Sequence, residues 1–337
     1  MKVKKIVIAA PIYPPEIGGP AQYAFHLEQE FRRLGHQVRV VKFAAVRHWP
    51  TGLRHLIYFF KLLPAMVWAD WAVALDTFSV ALPAMVVAKL VGTKIVIRAG
   101  GDFLWEWYVE RTGDLVLLQN FYQTRIDKLS VKERIVFWLT GYTICHVDRI
   151  IFSTDWQRRI WLTPYQLKPE RCSIVENYYG PKEVSYPAQQ KTFLAGTRPL
   201  KWKNSTRLTE AFRRDHIRRA AIVYDDTTVP FDHFMDKLAH CYAIVLVSLG
   251  DVSPNMILDA IRHNKPFILS HETGLYDRLK EVGIFVDPEN VDEIAEKILW
   301  LADEKNYQLA KQKIEQFTFT HTWAEIATEF VQIFKNL

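Results

Sequence analysis

Short apolar runs alternate with longer amphipathic segments along nearly the whole chain. Six runs rich in β-branched residues precede residue 177, beginning with KIVIAAPI, and five follow residue 190, ending with GIFVD. Between them, apolar residues recur at helical spacing. Continuous apolar runs are typical of strands that are buried on both faces of a parallel sheet, and their alternation with helices indicates βαβ units. The pattern therefore predicts an α/β fold built around parallel sheets.

The alternation is interrupted once, at residues 177–190, where NYYGPKEVSYPAQQ contains one Gly, two Pro and little apolar periodicity. A chain of 337 residues is long for a single core. We therefore expect two Rossmann-like domains that face a cleft, over residues 1–182 and 183–319. The last segment, residues 320–337, is predicted to be a helix that either packs back on the first domain or stays with the second.

The composition is that of an ordinary globular protein with a basic balance. Hydrophobic residues make up 49% and charged residues 24%, and the formal net charge is +6. This charge favours anionic partners such as phosphate esters or acidic lipid headgroups, whereas no nucleic-acid motif is present. The three cysteines, Cys145, Cys172 and Cys241, are widely spaced and form no CxxC pair, which argues against a disulfide framework or a zinc site.

Two apolar segments could be mistaken for membrane signals. The first run, IVIAA, is too short for the core of a signal peptide. Residues 56–75 are strongly apolar but are interrupted by Lys61, Pro64 and Asp70, which disfavours a spanning helix. We expect a cytoplasmic protein that is soluble or peripheral on the cytoplasmic membrane face.

A strand-to-helix junction at residues 250–262 predicts an anion site. Ser253 is a favoured N-cap residue and Pro254 suits the first helical position. The first amides of this helix, around Asn255 and Met256, then lack acceptors within the helix and attract an anion such as phosphate.

Two carboxylates bracket this junction. Asp251 precedes the cap, and Asp259 lies four residues after Asn255 on the same helical face. Ionised carboxylates only accept hydrogen bonds, so beside a bound phosphate they suit hydroxyl groups. We interpret Asp251 and Asp259 as sugar or ribose contacts, although acidic pairs at this spacing also arise by chance.

Two further strand-to-helix loops suit phosphate. Arg198 and Lys203 lie five residues apart before a helix, and a guanidinium and an ammonium group together suit a diphosphate. Gly18 and Gly19 follow the first strand, where paired glycines let the backbone approach a ligand. Basic pairs at this spacing are also common by chance, and the alternative for the glycine pair is a simple turn. The pattern GxGxxG is absent from this position, so a nicotinamide dinucleotide site is not predicted.

Taken in order, these motifs resemble retaining nucleotide-sugar glycosyltransferases of family four, which have the GT-B architecture. The family has a glycine pair after its first strand, then Arg-x4-Lys, then Glu-x7-Glu, and the resemblance covers nearly the whole chain. It implies that Gly18, Gly19, Arg198 and Lys203 hold the donor diphosphate. It also implies that Asp251 meets the transferred sugar and Asp259 the ribose, with Thr273 and Gly274 lining the base pocket. Ser253, Asn255 and Met256, at the predicted helix start, complete the predicted donor site.

The sequence departs from the family pattern at two places. Both family glutamates are aspartates here, each one methylene shorter, so the donor sits closer or the sugar contact differs. Many relatives also have a His after the fourth strand, whereas this chain reads IRAGGDFLWEW. Asp102 or the amides of Gly100 and Gly101 are candidates for that sugar or acceptor contact; the alternative is a structural loop.

The resemblance predicts a metal-independent, retaining glycosyltransferase without a cofactor, which moves a sugar from a nucleoside diphosphate to a hydroxyl acceptor. The acceptor would be a lipid-linked saccharide or a cell-surface glycan precursor. Two alternatives remain open: a nucleotide-sugar epimerase on the same fold, and a catalytically silent nucleotide-sugar-binding scaffold subunit.

Residues 53–71 suggest a further partner, an anionic membrane surface. Arg54 and Lys61 lie seven residues apart on one helical face, next to more apolar surface than one core-facing stripe needs. Trp49, Trp68 and Trp71 flank the segment, and aromatic residues with cations are typical of interfacial helices. The alternative is an ordinary helix that is buried between the sheet and its neighbours.

Overall fold

The computed structural model describes residues 2–16, 18–196 and 198–337. The chain forms two compact units, and each contains one sheet. The first unit comprises Met1–Leu104, Lys128–Tyr178 and His321–Leu337, and the second comprises Trp105–Asp127 and Tyr179–Thr320.

The sheet of the first unit contains six parallel strands, paired in the order β2-β1-β3-β4-β5-β6. Every side chain from Ile6 to Ala10 is fully buried, so helices cover both faces of the sheet. This double burial explains the continuous apolar runs in the sequence. The strands are β1 (Lys5–Ala10), β2 (Gln37–Lys42), β3 (Trp71–Ala74), β4 (Lys94–Ala99), β5 (Arg149–Phe152) and β6 (Cys172–Ile174).

The sheet of the second unit contains five parallel strands, paired in the order β11-β10-β9-β7-β8. Each of the eleven predicted runs, six plus five, contains one observed strand. The strands of the second unit are β7 (Thr192–Leu194), β8 (Val223–Asp225), β9 (Ala243–Leu246), β10 (Phe267–Ser270) and β11 (Ile284–Val286).

Helices connect the strands throughout the described part of the chain. In chain order they are α1 (Gly19–Arg33), α2 (Leu53–Trp68), α3 (Ala81–Val91), α4 (Phe103–Thr112), α5 (Leu118–Thr124), α6 (Val131–His146), α7 (Asp155–Leu162), α8 (Ser205–Phe212), α9 (Asp215–Arg219), α10 (Phe231–His240), α11 (Asn255–Arg262), α12 (Tyr276–Leu279), α13 (Val291–Ala302), α14 (Glu304–Glu315) and α15 (Trp323–Lys335). Among the described residues, none of them is long and apolar enough to cross a bilayer.

The C-terminal helix α15 packs in the first unit. Thr322 and Glu325 form a capping box at its start, in which each side chain accepts a hydrogen bond from the other's backbone N–H. Its apolar face, which includes Phe330 and Phe334, joins a core cluster with α1 and the strands of the first sheet.

Trp71 belongs to this core as well. Its side chain is 7% exposed, and its ring stacks on Phe334 with the ring centroids 4.8 Å apart. The prediction that Trp71 flanks a membrane-facing helix is therefore wrong, because the residue lies in β3 rather than beside α2 at the surface. Trp49 is exposed, and Trp68 is partly covered by Arg39, whose guanidinium carbon lies 4.1 Å from the ring centroid.

Candidate functional site

Three neighbouring strands of the second sheet end at the same edge. Because β7, β9 and β10 are adjacent and parallel, the loops that follow them are brought together, and ligands of open α/β sheets bind at such carboxyl edges. The loops after β9 and β10 are joined through the main chain: Asp251 N–H donates to Glu272 O at 2.9 Å and Gly274 N–H donates to Asp251 O at 3.2 Å. Asp251 is therefore held in a fixed position at this edge.

Lys203 and Asp251 form a close ion pair. Lys203 Nζ lies 2.5 Å from Asp251 Oδ2, and the two side chains are 13% and 14% exposed. The ammonium group also lies 4.2 Å from the ring centroid of Trp202, which favours a cation. The pattern predicted a phosphate contact for Lys203 and a hydroxyl contact for Asp251. In the structure the two side chains neutralise each other.

Arg198 lies beside this pair. Its side chain is exposed, and it makes no ion pair with any residue that the structure describes. Arg198 and Lys203 both line a pocket at the ends of β7 and β9, with a volume of about 90 Å³. Ligand pockets are usually roughly 300–1,000 Å³. This pocket alone therefore has room for only part of a nucleotide.

Helix α11 begins one residue later than the sequence predicts. Pro254 is the N-cap residue, with extended φ and ψ of −69° and 112°, and the first helical residue is Asn255. The prediction that Ser253 caps this helix is therefore wrong: the helical hydrogen bonds begin at Pro254 O, which accepts from Ile257 N–H at 3.1 Å. The amides of Asn255 and Met256 lie before that first bond, at the end of the helix that favours an anion.

Asp259 lies one turn into α11. Its side chain is 16% exposed, and Oδ1 lies 3.0 Å from Arg262 Nη1. Burial raises the pKa of Asp259 to about 7. Because burial disfavours the charged form, ionisation of Asp259 lowers the stability of the protein, and carboxylates of this kind are common at functional sites.

The side chain of Thr273 is more deeply buried than the sequence predicts. Its side chain is 1% exposed, and its hydroxyl accepts a hydrogen bond from Leu275 N–H at 3.3 Å. The hydroxyl thus stabilises the loop after β10. Gly274, the next residue, is half-buried.

Sequence reasoning missed Glu272, which immediately precedes Thr273. It is 5% exposed, and burial raises the pKa of its carboxyl to about 7, while a backbone hydrogen bond from Gln119 opposes the rise. Its Oε2 has no hydrogen-bond partner within the described ranges. The available signal is its position, since a carboxylate two residues after the buried strand FILS lies at the same edge as Asp251.

The first unit places its candidate residues at the carboxyl edge of its own sheet. Gly18 is the N-cap of α1 with φ of 149°, and a Cβ there would lie 3.1 Å from Ile12 Cδ1. Gly19 is the first residue of that helix. The backbone at this helix start therefore requires glycine at position 18, and no side chain among the described residues caps the helix by a hydrogen bond.

The loop after β4 is more tightly packed. A Cβ on Gly100 would lie 2.4 Å from Arg98 Nη1, and Gly101 O accepts from Gln157 Nε2 at 2.9 Å. Asp102 is 2% exposed, and its Oδ2 accepts from the Trp161 indole N–H at 2.7 Å. In this structure the Asp102 carboxylate is part of the interior of the first unit.

No family model and no curated protein matches this sequence. Solved structures match over the whole chain. WaaG, a glycosyltransferase involved in lipopolysaccharide biosynthesis, superimposes with a TM-score of 0.68 at 14% identity, over 99% of this chain and 100% of that chain. Sucrose-phosphate synthase from Thermosynechococcus elongatus gives a TM-score of 0.68 at 12% identity, over 99% of each chain.

A third similar structure is Anabaena Alr3699/HepE in complex with UDP-glucose, with a TM-score of 0.66 at 12% identity, over 99% of this chain and 100% of that chain. These neighbours are GT-B glycosyltransferases. The predicted GT-B fold, with two Rossmann-like domains, is therefore confirmed. At such low identity the similarity concerns the fold.

Proposed function

We propose that this protein is a retaining glycosyltransferase that moves a sugar from a nucleoside diphosphate to a hydroxyl acceptor without a metal ion. The observation that carries the proposal is the Lys203–Asp251 ion pair at the carboxyl edge of the second sheet, beside the exposed Arg198. The Lys203 ammonium group suits the diphosphate of a nucleotide sugar. The Asp251 carboxylate, which accepts hydrogen bonds, suits the hydroxyl groups of its hexose.

In this proposal the incoming diphosphate takes the place of Asp251 as the partner of Lys203. Arg198 and the amides of Asn255 and Met256 add positive charge to the diphosphate. Asp251, released from the ammonium group, accepts hydrogen bonds from the sugar hydroxyls, and Asp259 accepts from the ribose. Gly18 and Gly19 would supply the glycine-rich loop of the first domain.

The proposed reaction needs no protein nucleophile. The acceptor oxygen forms a bond to the anomeric carbon on the face from which the diphosphate leaves, while the bond between that carbon and the diphosphate oxygen breaks. The proton of the acceptor hydroxyl passes to the departing diphosphate. Lys203, Arg198 and the helix amides stabilise the negative charge that develops on the diphosphate, which is electrostatic catalysis.

The choice of donor for the first experiments follows from the structural neighbours. Anabaena Alr3699/HepE has been solved in complex with UDP and with UDP-glucose. We therefore infer a nucleotide-sugar donor and would test UDP-glucose first, followed by other nucleotide sugars, using thermal stabilisation as the readout because a ligand of the folded state raises stability.

The decisive experiment incubates the purified protein with the stabilising donor and a panel of hydroxyl acceptors in excess chelator. We expect a glycoside whose anomeric configuration is that of the donor, as measured by NMR. An inverted product would contradict the retaining mechanism, and activity that requires added magnesium or manganese would contradict metal independence. A donor converted to its epimer would favour the epimerase, and tight binding without turnover would favour the scaffold subunit.

For the acceptor, we propose a lipid-linked saccharide or a glycan precursor that is reached at the cytoplasmic membrane face, with residues 53–71 as the contact. The exposed side of α2 supports this, because Leu56, Phe60 and Val67 are 53%, 61% and 67% exposed. Lys61 is exposed on the same helix. Arg54 is half-buried, and its guanidinium carbon lies 5.9 Å from the centroid of the Phe43 ring. Transfer to a lipid-linked acceptor in vesicles, but not to its soluble headgroup, is the expected result.

A further inference from the structure

Three neighbouring helices of the first unit expose apolar side chains that the proposed reaction does not use. Helix α3 contacts both α2 and α6. We call their solvent-facing surface the three-helix face. Its exposed apolar residues are Leu53, Leu56, Phe60 and Val67 on α2, Val86 and Leu90 on α3, and Val131, Ile135, Trp138 and Tyr142 on α6.

Helix α6 shows the clearest pattern. Val131, Ile135, Trp138 and Tyr142 are spaced four, three and four residues apart, which places them in one stripe along the helix. Their side chains are 73%, 52%, 66% and 45% exposed. A stripe with this spacing normally faces a protein core. Helix α6 buries a different set of residues, including Val136 and Ile144, so it carries a second apolar side that faces solvent.

Single exposed apolar residues are common on protein surfaces and need no explanation. Here they recur on three helices in contact with one another, and the largest side chain, Trp138, is among the most exposed. Contiguous apolar surface with a polar rim is typical of an interaction site. The exposed apolar residues of the three-helix face therefore indicate an interaction surface.

The charge of these helices identifies the chemistry of a partner. Together α2, α3 and α6 contain five basic residues and one acidic residue. The acidic residue, Glu133, is fully buried and caps α6 by accepting from Ser130 N–H. Of the basic residues, Lys61 and Lys132 are exposed and form no ion pair with a described residue. The surface thus presents apolar groups and cations without an exposed carboxylate.

We propose that the three-helix face binds an anionic lipid bilayer, with α6 as its principal contact. Tryptophan and tyrosine side chains are favoured at the boundary of headgroups and acyl chains, and lysines beside them attract anionic headgroups. A second copy of this chain fits less well, because a two-fold interface would bring together two surfaces that both carry cations and no exposed carboxylate. This inference extends the membrane contact beyond residues 53–71 and does not depend on sugar transfer.

The test is flotation of the purified, ligand-free protein with phosphatidylcholine vesicles, with and without phosphatidylglycerol. We expect binding to the anionic vesicles at low salt. Ile135→Glu/Trp138→Glu is expected to lower the bound fraction at least tenfold, since two charges are placed in the apolar stripe. Lys61→Glu/Lys132→Glu is expected to reduce binding chiefly at low salt, because the electrostatic part is screened at high salt.

Two matched controls come from α14 and α10 of the second unit. Phe231→Glu/Leu309→Glu replaces apolar residues that are 54% and 47% exposed, and Lys305→Glu/Lys313→Glu reverses two exposed lysines. Both controls are expected to bind like wild type. Absence of wild-type binding to anionic vesicles would overturn the proposal. So would self-association in sedimentation velocity that Trp138→Glu abolishes while vesicle binding is unchanged. Neither result depends on whether sugar transfer occurs.

Discussion

The carboxyl edges of the two sheets each present one candidate aspartate, and the two are held differently. Asp102, after β4 in the first unit, is 2% exposed and accepts from the buried indole N–H of Trp161. Asp251, after β9 in the second unit, is 14% exposed at its side chain and pairs with Lys203, itself held at the surface of a pocket.

This difference distinguishes a structural carboxylate from one that can change partners. To leave the indole, Asp102 would have to leave an unpaired donor inside the first unit, which costs roughly 1–3 kcal/mol. The Lys203–Asp251 pair is mostly buried, so the carboxylate can leave the ammonium group only if another anion takes its place, and a diphosphate supplies that negative charge. The comparison predicts that substitutions at Lys203 and Asp251, in the second unit, lower the rate of sugar transfer. Substitution of Asp102, in the first unit, is predicted to lower the free energy of unfolding.

The largest effect is expected for Lys203→Ala. It removes the cation that would stabilise the leaving diphosphate, and loss of one such preorganised group lowers kcat by about 10²–10³-fold. The measurement is kcat with the stabilising donor at saturation. Lys201→Ala is the matched control, because Lys201 lies two residues away and its Nζ donates to Glu110 O at 2.8 Å instead. Equal activity in the two variants would contradict the role of Lys203.

Asp251→Asn is expected to lower transfer by about 10²-fold, because a neutral amide accepts sugar hydroxyls more weakly than a carboxylate. Binding of the free nucleoside diphosphate should stay within about threefold of wild type or improve, since Lys203 is then unpaired. Calorimetry with the nucleotide and initial rates of transfer separate the two effects. Asp232→Asn, at an exposed carboxylate of the same unit, should change neither quantity.

Much of this arrangement could be predicted from the sequence. The apolar runs located all eleven strands because strands buried on both faces leave a local pattern. The order of the parallel strands then places the loops that carry Arg198, Asp251 and Thr273 at one edge. In contrast, the ion pair of Lys203 with Asp251 joins residues 48 positions apart, and side-chain direction at that separation has no local signal.

The errors have similar causes. Ser253 was predicted as the N-cap of α11 from its residue type, but the chain stays extended through Pro254. Tryptophan is a residue type typical of membrane interfaces, but the ring of Trp71 stacks on Phe334 in the core of the first unit. Phe334 lies in α15, at the other end of the sequence. The division into units depends on such contacts as well, since residues 105–127 cluster with the second unit and their periodicity carries no signal of it. Each outcome depends on tertiary contacts.

Asp259→Asn is expected to have a smaller effect of mixed sign. Loss of one charge-assisted hydrogen bond to ribose should weaken nucleotide binding by about tenfold, which calorimetry would measure. The same change should stabilise the ligand-free protein. Burial raises the pKa of this carboxyl to about 7, whereas an unfolded aspartate titrates near pH 4. Ionisation of Asp259 therefore lowers the free energy of unfolding as the pH rises from about 4 to about 7.

The asparagine variant lacks this pH dependence. Because the Arg262 guanidinium offsets part of the burial penalty, we expect a gain of only ~1–2 kcal/mol at pH 8, which disappears toward pH 4. Chemical denaturation at both pH values measures the difference, with Asp232→Asn as the reference. A variant that is less stable than wild type at pH 8 would show that the pair with Arg262 outweighs the burial of the carboxylate.

The smallest effect on transfer is expected for Asp102→Asn, which tests the other side of the comparison. The amide preserves the shape of the side chain but weakens the acceptor for Trp161 N–H, so the free energy of unfolding should fall by ~1–3 kcal/mol. Transfer per folded molecule should stay within about threefold of wild type. Trp161→Phe removes the same hydrogen bond from its donor side, and the double variant completes a cycle in which the two losses should be less than additive. If Asp102→Asn instead lowered transfer as strongly as Asp251→Asn at unchanged stability, the carboxylate would contact the sugar or the acceptor during the reaction, and Trp161 would hold it only in the ligand-free state.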